Sequence, residues 1–73
     1  MDAQEASEAI DELVEMIDEL PEETIDKAPE FFEDVRSNAV SMQETLNRTG
    51  RCSDKQARAI RNWTSSVEKW NHD

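Results

Sequence analysis

Seventy-three residues include one glycine, two prolines and no tyrosine. Glycine and proline supply most tight turns, and aromatic residues favour strands, so a chain this poor in them has little material for sandwiches or barrels. A single cysteine, Cys52, excludes an internal disulfide and points to a reducing compartment. No apolar run approaches the roughly 20 residues needed to span a bilayer. The first residues, MDAQEASEAIDE, carry acids where a secretory leader needs bases followed by an apolar stretch. These absences predict a cytoplasmic protein that does not enter a membrane.

Catalytic equipment is missing too. The only histidine, His72, is next to last and is expected to fray. With one cysteine and one histidine, at opposite ends of one predicted helix, no soft ligand set for zinc can assemble. The acids fall on helical spacing rather than in a glycine-centred loop, which removes a calcium loop. Acid pairs are plentiful, yet nothing in the sequence marks a cleft around them, and no nucleophile sits beside a base. The sequence therefore assigns no catalytic residue, no metal ligand and no cofactor, and predicts a protein that is not an enzyme.

The last absence is of positive charge in the front half. From Met1 to Asp34 there are fourteen acids and one base, Lys27, a net of −13. From Val35 to Asp73 four acids meet seven bases, a net of +3. The chain total is −10. An asymmetry this steep marks an electrostatic interaction surface at one end.

What is present is helical periodicity. A chain this short makes one domain and buries only roughly 60% of its unfolded surface. Hydrophobic and charged residues are each 36% of it, a balance between a globule and a disordered tail, so patterning decides that it folds. Ala6, Ile10, Leu13, Ile17 and Leu20 are spaced 4, 3, 4, 3, an a/d stripe that predicts a helix over 4–20. Pro21 ends it, because the residue before proline resists the α region. Asp18 and Glu19 oppose the helix dipole at that end, so this helix needs docking. Residues 21–28 form a short turn or helix with Pro21 at its first position.

Pro29 restarts the chain. Phe32, Val35, Ala39, Met42 and Leu46 repeat the heptad spacing, with Phe31 and Val40 widening the stripe. Gly50 stands where a helix C-cap belongs, and Ser53 with Gln56 forms a capping box. Ala57, Ile60, Trp63, Val67 and Trp70 give a third stripe, with Met16 and Met42 as gap-fillers. The short Thr49–Cys52 link makes 30–70 an antiparallel helical hairpin across which the first helix packs. The fold class is all-α: a small three- to four-helix bundle, one domain over 1–73, with a C-terminal antiparallel hairpin.

The acidic helix admits three readings. A solvated surface is the plain one, but ordinary surface helices mix signs and gain about 0.2–0.5 kcal/mol per i,i+4 pair, which this one forgoes. Pairing within the chain, with Arg51, Lys55, Arg58 and Arg61 taking up some acids, would still leave a large excess. A basic surface on a partner protein is preferred, including the case in which the carboxylates mimic phosphates. Glu8, Asp11, Glu12, Glu15, Asp18, Glu19, Glu22 and Glu23 are the candidate contacts. Phe31 and Phe32 are adjacent and cannot share one helix face, so an exposed Phe31 would join them. Lys55, Arg58, Asn62 and Lys69 share a face of the last helix, but a chain at −10 is repelled from a polyanion, and no direct nucleic-acid binding is expected.

The segment from Phe31 to Trp70 resembles a helical module of small bacteriophage proteins, in which an amphipathic helix, a Gly-x-x-Ser turn and a Lys-Gln helix follow one another. Gly50, Ser53, Lys55, Gln56 and Trp63 carry the likeness over a little more than half the chain. Members often place an apolar residue before the serine, where this chain has Cys52. The resemblance implies host takeover, by analogy with phage regulators of bacterial RNA polymerase, and location in the host cytoplasm if the chain is phage-encoded. It leads to a non-enzymatic protein that inhibits or redirects a host nucleic-acid machine, RNA polymerase first. The alternatives are a DNA mimic that inhibits a nuclease or CRISPR effector, and a homo-oligomeric structural bundle; the chain is expected as a monomer or homodimer.

Overall fold

The computed structural model describes residues 1–71; His72, expected to fray, lies outside the described residues. Four helices follow one another: α1 (Ala3–Glu19), α2 (Glu22–Lys27), α3 (Pro29–Thr49) and α4 (Asp54–Asn71). Among the described residues there is no strand, and no helix is long and apolar enough to cross a membrane. The three long helices form a bundle of 37 × 18 × 17 Å.

Each boundary has a local cause. Asp2 caps α1, its carboxylate accepting from the Glu5 N–H at 2.8 Å, so an acid sits where the helix dipole favours one. Leu20, before Pro21, is extended (φ −66°, ψ 143°) and ends α1. Pro21 stands one residue before α2 as its cap, not within its first turn. Pro29 opens α3 at a position where its missing N–H costs no helical hydrogen bond.

At the far end of α3 the capping glycine, Gly50, takes the left-handed conformation (φ 69°, ψ 17°), and its N–H donates to the Leu46 carbonyl at 2.8 Å. The capping box then starts α4. The Gln56 N–H donates to Ser53 Oγ at 3.1 Å, and the Ser53 N–H donates to Gln56 Oε1 at 2.8 Å.

The heptad stripes are consumed inside one chain. Ala6, Ile10, Leu13, Ile17 and Leu20 of the first stripe are all buried, and so are Phe32, Val35, Ala39 and Leu46 of the second. Ala57, Ile60 and Val67 complete the core, with Met42, Trp63 and Trp70 half-buried at its margin. Val40 departs from expectation: it is 40% exposed, on the outer side of α3, and widens nothing.

The hairpin is antiparallel, since Phe32 at the start of α3 meets Trp70 at the end of α4 edge to face at 5.6 Å. Its two arms, however, are not the close neighbours that the short link predicts. α1 packs along both, and more closely on each than they pack on one another. The α1 stripe is the one buried along its whole length, all five members, whereas Met42 of α3 and Trp63 and Trp70 of α4 are only half-buried, so α1 rather than an α3–α4 seam fills the centre.

Candidate functional site

Burying the Ala6–Leu20 stripe fixes where every other α1 residue points. At 3.6 residues per turn, Glu5, Glu8, Glu12, Glu15 and Glu19 fall on a second stripe, spaced 3, 4, 3, 4, turned away from the core. All five are exposed. The stripe runs from Glu5 to Glu19, roughly 21 Å at 1.5 Å per residue, without a base. Glu22 and Glu23, at the start of α2, continue the exposed acidic surface past the Pro21 corner.

Asp11 and Asp18 lie on the edge of this face that borders α3, and α3 holds both. Gln43 Nε2 donates to Asp11 Oδ1 at 2.7 Å, and also reaches the Ser7 carbonyl at 3.0 Å and Ser7 Oγ at 3.2 Å. Arg36 donates to both carboxylate oxygens of Asp18 and forms the one ion pair among the described residues. That pair sits at the C-terminal end of α1, where Asp18 opposes the helix dipole and no base of α1 itself compensates. Both partners are about half exposed (51% and 47%), so the pair is worth at most about 1 kcal/mol. It orients more than it stabilises.

Arg36 and Gln43 were not among the expected contacts. Their signal is present in the sequence nonetheless. They stand seven residues apart beside the Phe32–Leu46 stripe, as Asp11 and Asp18 stand seven apart beside the Ala6–Leu20 stripe. Antiparallel packing sets the two pairs face to face.

Internal neutralisation does not occur in the way the sequence allowed. Arg51, Lys55, Arg58 and Arg61 are exposed and make no ion pair among the described residues. Both helices explain this: α1 turns its apolar face inward and its carboxylates outward, while α4 turns Ala57, Ile60 and Val67 inward and its bases outward. The two charged faces point to solvent rather than to each other. Among the described residues, seven of the eight candidate carboxylates are thus exposed with no cationic partner, Asp18 alone being paired.

Phe31 is placed differently from expectation. It is half-buried rather than exposed, and packs edge to face on Phe32 with ring centroids 5.1 Å apart. A second aromatic at this corner lowers its exposure by stacking on the first, which helical spacing alone does not reveal. Cys52 is also half-buried against the core, so it fills the apolar role of the residue before the capping serine.

One concavity adjoins the acidic face. Ile17, Ile25, Pro29 and Phe32 floor an open cleft of about 340 Å³ where α1, α2 and α3 meet, and Asp18, Glu33 and Arg36 stand at its rim. Compared with known protein families, with curated proteins and with solved structures, the chain finds no match in any of the three.

Proposed function

We propose that this chain is a non-enzymatic acidic binding protein that inhibits or redirects a host nucleic-acid machine, with bacterial RNA polymerase as the first candidate. The observation that carries the reading is the glutamate stripe of α1: five exposed carboxylates turned away from the core, none in an ion pair among the described residues. Such a face repels itself and is complementary to a basic surface. Proteins that handle nucleic acid present such surfaces to phosphates. Occupying one requires shape and charge only. The partner's own substrate is then excluded by steric and electrostatic competition.

A second reading keeps the same surface and changes the target. A roughly 21 Å line of carboxylates without interrupting bases is what a DNA mimic would offer to a nuclease or CRISPR effector. The homo-oligomeric reading loses its motive, because the stripe that would have closed a dimer is buried within one chain.

The test is capture from bacterial lysate at low salt on the immobilised protein, beside the variant carrying Glu12→Lys, Glu15→Lys and Glu19→Lys. Recovery of polymerase subunits on the parent alone, followed by inhibition of transcription by the purified protein, is the expected result. Recovery of a nuclease that DNA displaces would move the reading to mimicry. A capture profile unchanged by the triple reversal would remove the acidic face as the binding surface.

A further inference from the structure

The acidic face has charge but no apolar anchor of its own. Every outward position of the α1 stripe is a carboxylate, and the exposed large hydrophobic residues, Met1 and Val40, lie off it. Interfaces concentrate their affinity in a few buried apolar or aromatic anchors, whereas exposed ion pairs are weak and screened by salt. A surface built only from α1 would therefore bind loosely and lose its partner as salt rises.

The cleft at the α1–α2–α3 corner supplies what α1 lacks. Ile17 and Phe32 at its floor are buried, Ile25 is half-buried, and Pro29 closes one side. Its volume, about 340 Å³, suits one or two side chains rather than a long ligand. The charge around it is mostly negative, with Arg36 at the rim and Lys27 at the end of α2 as the two bases. Arg36 is already matched by Asp18, so Glu33 is left as the uncompensated group at the rim. Ile25 sits on a six-residue helix that carries three acids, Glu22, Glu23 and Asp26, against one base, Lys27. That wall is lightly held: α2 buries none of its residues and has no side-chain cap at its start. It can adjust around an occupant.

We propose that this cleft is the anchor pocket of the acidic surface and takes one aliphatic side chain of a basic protein segment. Lysines or arginines flanking that side chain meet Glu33 and the carboxylates of α2. The proposal rests on the basic-partner reading above and adds to it the apolar half of the recognition. The same complementarity disfavours an anionic lipid or an acidic peptide as the occupant, since Glu33, Glu22, Glu23 and Asp26 outnumber the nearby bases Arg36 and Lys27.

The experiment uses two labelled heptapeptides, one of three lysines, a leucine and three lysines, the other with serine in place of the leucine. Fluorescence anisotropy is read on the full chain in 50 mM and 300 mM salt. The leucine peptide is expected to bind about tenfold more tightly, a difference of about 1.4 kcal/mol. This ratio should persist in both salts while both affinities fall. Ile25→Ser should erase the ratio and leave the serine peptide unchanged. Because Ile25→Ser could unfold α2, the unaltered protein is also titrated by heteronuclear NMR. There the difference between the two peptides should concentrate at Ile17, Ile25 and Phe32. Equal binding of the two peptides, or a difference centred elsewhere, overturns the pocket and leaves the acidic face standing. If neither peptide binds at 50 mM salt, the basic-partner reading falls and the pocket with it.

Discussion

Glu15 is the residue at which the cost of the acidic face can be measured. Its helical neighbours at i−4, i−3, i+3 and i+4 are Asp11, Glu12, Asp18 and Glu19, four carboxylates and no base. Each like-charge pair opposes the helix by roughly 0.2–0.5 kcal/mol, less where Arg36 already offsets Asp18. Glu15→Gln removes these repulsions without adding attraction and should stabilise the fold by about 1 kcal/mol at low salt. Glu15→Lys converts them to attractions, in the half of α1 where the dipole also favours a cation, and should stabilise it by about 2 kcal/mol. For a domain of this size each kcal/mol raises Tm by about 4–8 °C. Thermal melts followed by circular dichroism in 10 mM and 500 mM salt would show the order Lys above Gln above Glu, with the gaps shrinking as salt screens the charges. The reasoning is refuted if Glu15→Lys melts at or below the parent in 10 mM salt, because the acids would then cost the fold nothing. Greater stability together with weaker capture of the partner is the signature of a surface kept for binding.

Two further outcomes test the fold that presents this face. Leu13 is fully buried at the centre of the α1 stripe, so Leu13→Ala should cost about 3 kcal/mol, a large share of the stability of so small a domain, and should move the urea midpoint accordingly. Gly50→Ala meets no atom within 4 Å of the added Cβ but must hold φ at 69°, so it should cost about 1 kcal/mol by the same measurement, through backbone conformation alone.

The regular elements were readable because their signals are local. A 3,4 apolar spacing, a proline, a capping glycine and a Ser-x-x-Gln box each act over four to seven residues, and each predicted helix, cap and link has its counterpart within a residue or two. What failed depended on choices between helices. The short link between Thr49 and Asp54 makes α3 and α4 antiparallel, but linkage does not decide which pair of helices shares the deepest seam. That is set by which stripe can be buried along its whole length, and α1 is the one whose five members are all buried. Val40 was misplaced for the same reason. It lies close enough to the stripe to belong to it, and only the position of α1 decides that this edge of α3 stays open. The acidic stripe was legible as composition, whereas its lack of partners was not, because the direction in which α4 turns its bases depends on packing.

That direction explains why the charge asymmetry survives folding. A bundle of three amphipathic helices has no interior for its charges, so each helix sends them outward along its own axis, and the outward faces of two helices diverge. α1 and α4 therefore expose opposite charge on faces that cannot close on one another without unpacking Ile10, Leu13, Ile60 and Val67. The carboxylates thus stay available in the folded state, and among the described residues no base of α4 pairs with them. Only the edge that borders α3 is different. There Arg36 and Gln43 lie within reach of Asp18 and Asp11, holding two carboxylates in place while leaving the glutamate stripe to whatever positive surface it meets.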